Sequence, residues 1–209
     1  MFFGLTLFLP AWTLHYWQAW VFIAVFVVTT SGPSIYLAVK DPAALQRRMH
    51  AGPTAETRPA QRIAISATVL AVVALLVVSA LDHRFGWSSV PLAMITLGNV
   101  LVAVGLLVAQ LVVVQNRYAS ATITVEADQE LASTGLYGLV RHPMYVGDLV
   151  MIIGTPLALD SYWGLAVLIP GLLALAARIV DEEKMLSAEL AGYDEYTQKV
   201  RYRLLPDVW

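Results

Sequence analysis

The sequence predicts an all-α integral membrane protein: a helical bundle with about five transmembrane helices, the last two forming a hairpin. Three observations lead there. Of the 209 residues, 58% are hydrophobic and only 13% charged, against roughly 25% charged in soluble domains. The apolar residues gather into five long runs separated by polar connectors. The basic residues crowd into alternate connectors, as they do where a chain weaves back and forth across a bilayer.

The first run has no formal charge from Met1 to Val39, more than the ~20 residues a crossing needs. Pro10 separates a short lead from a main segment, Leu14 to Val39. Trp12, Tyr16, Trp17 and Trp20 near its start suit an interfacial aromatic belt, and Gly32-Pro33 marks a place for a kink. No basic stretch precedes the run and no Ala-x-Ala site closes it, so it is read as part of the mature chain.

A polar loop, residues 40–62, follows with five basic residues. Ile63 to Leu81 is the second span. After the connector 82–89, Pro91 to Gln115 forms the third, with Gly98 and Gly105 allowing close helix approach and Asn99 placed to hydrogen-bond a neighbour. Residues 116–140 are polar, with a short β-like edge expected at Thr122–Glu126. Met144 to Leu159 is a short fourth span containing Gly154-Thr155-Pro156, where a tilt or break is expected. Only Asp160-Ser161 separates it from the fifth, Tyr162 to Ile179, which demands an antiparallel turn. The tail from Val180 is charged.

Five spans place the first loop, the third loop and the tail at one face. That face collects 12 of the 13 Lys and Arg residues, leaving Arg84 opposite. The positive-inside rule makes it cytoplasmic, with the N-terminus outside and the C-terminus inside. A multi-pass protein of a prokaryotic plasma membrane is expected. The chain reads as one domain, residues 1–115 supplying three spans and 116–209 the loop, hairpin and tail.

Composition excludes several chemistries. With no Cys there are no disulfides or thiolate sites. Four scattered His residues lack metal-ligand spacing, so no metal is expected. A net charge of -2 lacks the basic face that nucleic acid requires. His15, His50 and His83 are given no role.

The stretch 133–148 concentrates what remains. It packs Tyr137, Arg141, His142, Tyr145 and Asp148 between apolar regions, and Pro143 suits the first turn of a helix. The hairpin brings this start beside its own end, where Arg178, Asp181, Glu182 and Glu183 lie. A surface ion pair four residues apart, Arg178 with Glu182, is the plainer alternative, as are contacts to lipid phosphates. Asp148 favours a functional site, because it sits one turn inside the fourth helix.

Arg-His-Pro-Met-Tyr-Val-Gly at 141–147 followed by Asp-Glu-Glu at 181–183 resembles the isoprenylcysteine carboxyl methyltransferase family, relatives of the phospholipid N-methyltransferases. The likeness extends to Ser133–Tyr137, Gly192–Tyr196 and Arg201–Pro206; Leu136 departs from it, standing where that family usually has Pro. The resemblance implies a membrane enzyme using S-adenosyl-L-methionine, with 141–147 and 182–183 lining the cofactor pocket. Glu182 or Glu183 would pair with the ammonium or ribose, and Arg141 or His142 with the carboxylate. Gly147 would allow close approach, and Tyr137 and Tyr145 would offer hydroxyls or ring faces.

The implied acceptor is lipophilic and enters from the bilayer among membrane lipids. An isoprenylcysteine-type carboxylate, already ionised at neutral pH, needs chiefly positioning. Arg201 or Arg203 would orient it, with phosphate contact their competing role. An amine acceptor, as in a phospholipid or small-molecule methyltransferase, would instead need Asp148 or Glu183 as proton acceptor. A non-enzymatic scaffold would bind no cofactor. Tyr193, Tyr196 and Tyr202 are read as packing residues.

Overall fold

The computed structural model describes residues 1–49, 52, 54–56, 58–116, 118–119, 122 and 129–209. Most of the expected edge at Thr122–Glu126, together with His50 and Arg117, lies outside the described residues. Among those described there is helix and no strand.

Eight α-helices carry the architecture: α1 (Trp17–Lys40), α2 (Pro42–Met49), α3 (Pro59–Phe85), α4 (Leu92–Gln115), α5 (Pro143–Ala158), α6 (Trp163–Ala166), α7 (Leu168–Glu189) and α8 (Tyr193–Lys199). Among the described residues four stretches are long and apolar enough to cross a membrane: Trp17–Lys40, Pro59–Phe85, Leu92–Gln115 and Trp163–Glu189. Helix α5 is the shorter fifth apolar helix. The protein is a helical integral membrane bundle.

Helices run past the apolar limits wherever backbone hydrogen bonding can continue without hydrophobic support. Thus α3 extends from Pro59, at a favourable first-turn position, to Gly86, whose left-handed φ of 61° ends it. The fifth span breaks at Val167 and then continues as α7 through the charged residues 181–184 to Glu189. Pro33 lies inside α1, and Pro156 lies inside α5, which is not interrupted at Gly154–Pro156 and ends two residues later at Ala158.

The bundle is built from two tight pairs. Helix α4 lies along α5, and α7 lies along α3, while α1 packs on α4 and the N-terminal lead on α3. One core joins them: Leu7, Tyr16 and Phe22 meet Leu75 and Leu76 of α3, Val102 of α4 and Leu159.

Two glycine pairs, seven residues apart on each helix, set the α4–α5 contact. A Cβ on Gly154 would stand 2.6 Å from the Gly98 carbonyl oxygen, and one on Gly147 would stand 2.7 Å from that of Gly105. With no lipid-phase hydrophobic effect to drive pairing, close backbone approach supplies the association through dispersion. This register has a consequence at the basic end. From Gly105, α4 runs ten residues to Gln115, whereas α5 extends only four from Gly147 back to Pro143. Helix α4 therefore overshoots α5 by six residues, roughly 9 Å, and leaves a recess above the start of α5.

At the opposite end two carboxylates tie the connectors. Asp82, fully buried, accepts from the Ser88 amide (2.7 Å), the Ser88 hydroxyl (2.5 Å) and the Ser161 hydroxyl (2.6 Å). Asp160 accepts from the Val90 amide (2.7 Å) and Gln18 Nε2 (2.8 Å). The Tyr16 hydroxyl donates to the Leu159 carbonyl at 2.6 Å.

Candidate active site

The recess is lined from four directions. Gln115, the last residue of α4, grips the following loop: its Nε2 donates to the Thr134 carbonyl and its Oε1 accepts the Leu136 amide at 3.1 Å. Gly135 adopts a φ of 60° there, directly against the Gln115 side chain. This places Tyr137 over the recess, its hydroxyl accepting from Asn116 Nδ2 at 3.2 Å and its carbonyl accepting from the Tyr196 hydroxyl at 2.7 Å.

The tail clasps the motif from outside. The amides of Arg141 and His142 donate to the carbonyls of Tyr202 (2.9 Å) and Arg203 (3.0 Å). Helix α7 supplies Glu183, which gathers three partners. Its Oε1 lies 3.0 Å from Arg141 Nε and 3.2 Å from His142 Nε2, and its Oε2 accepts from Arg203 Nε at 2.8 Å. One carboxylate thus binds α7, the motif and the tail together.

Beside it a second chain of polar groups crosses the bundle. The Tyr145 hydroxyl donates to Glu182 Oε2 at 2.8 Å and accepts from Arg178 Nε at 3.1 Å. Arg178, buried, reaches on to Glu56 Oε1 (2.9 Å) and Gln61 Oε1 (3.0 Å). Gln61 in turn donates to Asp181 Oδ2 at 2.5 Å, and Arg58 pairs with Asp181 Oδ1 at 3.2 Å.

Two cavities result. A polar one of about 110 Å³ occupies the recess and is lined by Tyr137, Arg141, His142, Tyr145, Glu182 and Tyr193, among others. An apolar one of about 260 Å³ lies where α5 and α7 diverge against α3, with Arg48, Asp148 and Arg178 among aliphatic side chains. Met144 and Tyr145 line both. They form the partition.

The predicted residues therefore separate by position. Tyr137, Arg141, His142, Tyr145 and Glu182 share the polar cavity, and Asp148 lines the apolar one. Glu183 is the knot beside the polar cavity. Gly147 faces α4, with Gly105 and Ala109 backbone atoms 2.7 and 2.9 Å from where its Cβ would be. Arg203 is held by Glu183, and Arg201 is exposed outside both cavities.

Sequence reasoning missed Arg48, Glu56 and Gln61. Glu56 reaches Arg178 across 122 residues, and no local pattern signals such a contact. Tyr193 packs, as expected, with Leu190, Tyr196 and Val200, and it lines the polar cavity as well.

Among the described residues two buried donors of the polar cavity are unspent: Tyr193 Oη has no partner, and Arg141 Nε, though 3.0 Å from Glu183, is not directed at it. Burial pushes the hydroxyls of Tyr137, Tyr193 and Tyr196 above the ordinary phenol value of 10.0, keeping them protonated as donors. The cavity thus offers Arg141 and Tyr193 as donors for an anionic group and Glu182 as acceptor for an ammonium. The donor set fits the amino-acid end of S-adenosylmethionine.

The fold and these cavities define a helical membrane protein in which a polar recess meets a lipid-level cavity across one wall. Residues 93–191, which run from α4 through α7, match the sequence model of the phospholipid methyltransferase family, and this supports a membrane methyltransferase. Ninety-five residues are 35% identical to the Delta(14)-sterol reductase of Mus musculus, covering 42% of this chain and 22% of the reductase. A stretch of 105 residues is 30% identical to the nickel-cobalt-cadmium resistance protein NccN of Alcaligenes xylosoxydans xylosoxydans, covering 47% of each. The matched region spans less than half the length of either relative.

Proposed function

We propose that the chain is an S-adenosylmethionine-dependent methyltransferase acting on a lipophilic acceptor, with an isoprenylcysteine-type carboxylate as the first choice. One observation carries the reading: a polar cavity and an apolar cavity share the wall made by Met144 and Tyr145. Methyl transfer between a polar donor and a lipid acceptor needs that adjacency.

Bound S-adenosylmethionine supplies an electrophilic methyl group. Arg141 and Tyr193 would hold its carboxylate and Glu182 its ammonium, each through charge-assisted hydrogen bonds. Tyr145, fixed by Glu182 and Arg178, forms the wall across which donor and acceptor would face each other. Met144 and the aliphatic lining keep water from the acceptor. Such positioning lowers a barrier by several kcal/mol without acid–base help. The basic end is assigned to the cytoplasm, where the cofactor is found.

A phospholipid amine is the second reading. It draws support from the family match to residues 93–191 and from Asp148 in the apolar cavity, a carboxylate able to take an amine proton.

Calorimetric titration of the purified full chain in detergent tests the reading. S-adenosylmethionine should bind, Glu182→Gln and His142→Ala should weaken it, and a reduced nicotinamide cofactor should not compete. Radiolabelled donor added with membrane extract should then yield one labelled lipid class. Absence of binding, or undiminished binding by both variants, refutes the proposal.

A further inference from the structure

Glu56, Asp181, Glu182 and Glu183 crowd the basic end of the bundle, and three of the four have a base of their own. Asp181 pairs with Arg58, Glu183 with Arg141, His142 and Arg203, and Glu56 with Arg178. Glu182 has a phenol instead. It accepts from the Tyr145 hydroxyl, and among the described residues no base pairs with it. Proximity along the chain favours a different allotment. Arg178 and Glu182 are four residues apart on α7, the spacing at which opposite charges on a helix meet.

Two contacts hold that pair open. The Tyr145 oxygen bridges it, 3.1 Å from Arg178 Nε and 2.8 Å from Glu182 Oε2. Arg178 Nη1 reaches instead toward α3 and the loop before it, donating to Glu56 Oε1 at 2.9 Å and Gln61 Oε1 at 3.0 Å. The side chain of Glu56 is only 1% exposed and that of Arg178 6%, so water and salt screen their attraction little. Gln61 adds a neutral acceptor; the charge that draws the guanidinium away is that of Glu56.

We infer that Glu56 is a positioning residue of the cofactor site: by occupying Arg178 it leaves Glu182 an uncompensated anion at the polar cavity. Without the Glu56 charge, Arg178 falls to Glu182, one turn along the same helix and already joined to it through a single hydroxyl. The ion pair then formed neutralises the acceptor meant for a ligand's ammonium. Rotation toward Asp148, which shares the apolar cavity with Arg178, would leave Glu182 bare, and the experiment tells the two apart. The inference rests on the reading of the polar cavity as the seat of the cofactor's amino-acid end. It extends that reading to a residue that lines neither cavity.

The test compares S-adenosylhomocysteine with the analogue in which its α-amine is replaced by hydrogen, each titrated calorimetrically into the full chain in detergent. The ratio of the two affinities reads the ammonium contact. In the wild type the amine should be worth about tenfold, the size of one charged hydrogen bond. Glu56→Gln should abolish this preference and change the analogue's affinity little. Combining it with Arg178→Gln should restore the preference, because no guanidinium is left to neutralise Glu182. A residue that merely supported the fold would not be rescued by removing its partner. Glu56→Asp keeps the charge but shortens the arm; its preference should be intermediate, which decides where Glu56→Gln does not fold. An undiminished preference in either single variant overturns the inference, as does a loss that persists in the double variant. A wild type that binds both ligands equally overturns it too. A wild type that binds neither overturns it together with the cofactor reading, which wild-type binding otherwise upholds whatever the variants do.

Discussion

The hydroxyl of Tyr145 donates to Glu182 Oε2 at 2.8 Å, joining the partition between the two cavities to the acid that faces the polar one. The same oxygen accepts from Arg178, so two side chains of α7 hold the ring that α5 presents. Removing the hydroxyl in Tyr145→Phe frees Glu182 and leaves Arg178 Nε short of an acceptor. The expected outcome is a fall in methyl-transfer rate of about tenfold, from the loss of one charge-assisted bond. Steady-state kinetics should show it in kcat more than in the cofactor KM.

Glu182 and Glu183 are adjacent but differ in what they hold. Glu183→Gln removes the charge shared by Arg141, His142 and Arg203, leaving cations without their counter-ion. A loss on the order of 3 kcal/mol of stability is expected, read as a lower melting temperature in detergent. Glu182→Gln should leave the melting temperature nearly unchanged and reduce cofactor affinity.

Gly147 supports the site through packing. In Gly147→Ala the new methyl meets backbone of α4 at Gly105 and Ala109, which cannot move aside as a side chain would. Overpacking of this kind costs about 1–3 kcal/mol. Thermal unfolding should register it.

Tyr193 makes a prediction about pH. Tyr193→Phe should weaken cofactor binding while leaving the fold intact, since the hydroxyl has no partner to lose. In the wild type burial raises its pKa above 10.0, so the donor proton persists and the ratio of wild-type to Tyr193→Phe affinity should stay constant up to pH 10, even as the ligand's own ammonium loses its proton. Stability has the opposite limit. Unfolded tyrosines ionise near 10.0 while the folded ones hold their protons, so stability is full below pH 10 and declines as pH rises beyond it.

The far end of the bundle should be separable from the chemistry. Asp82→Ala deprives Ser88 and Ser161 of their acceptor, at an expected cost of about 3 kcal/mol. Calorimetric titration of the fraction that remains folded should give unchanged cofactor affinity.

Hydropathy and charge placement made the spans legible, because insertion into a bilayer is decided segment by segment from local composition. Helix ends were less legible. Residues 180–189 look like a tail by charge, yet α7 runs on to Glu189 because its backbone bonds continue while its acids reach sideways to Tyr145 and Arg141.

By itself the sequence determined that this is a helical membrane protein, and that Arg141, His142, Glu182 and Glu183 meet at the basic end of a hairpin. Those follow from run lengths and from a two-residue turn. Only the tertiary structure decided that Gly147 packs on Gly105, that α5 starts about six residues short of the end of α4, and that Glu56 anchors Arg178. It alone divided the site into a polar and an apolar cavity around Tyr145. The physical reason is that a cavity is a difference between elements: it arises from unequal overshoot and from side chains meeting across more than a hundred residues, which no local pattern encodes.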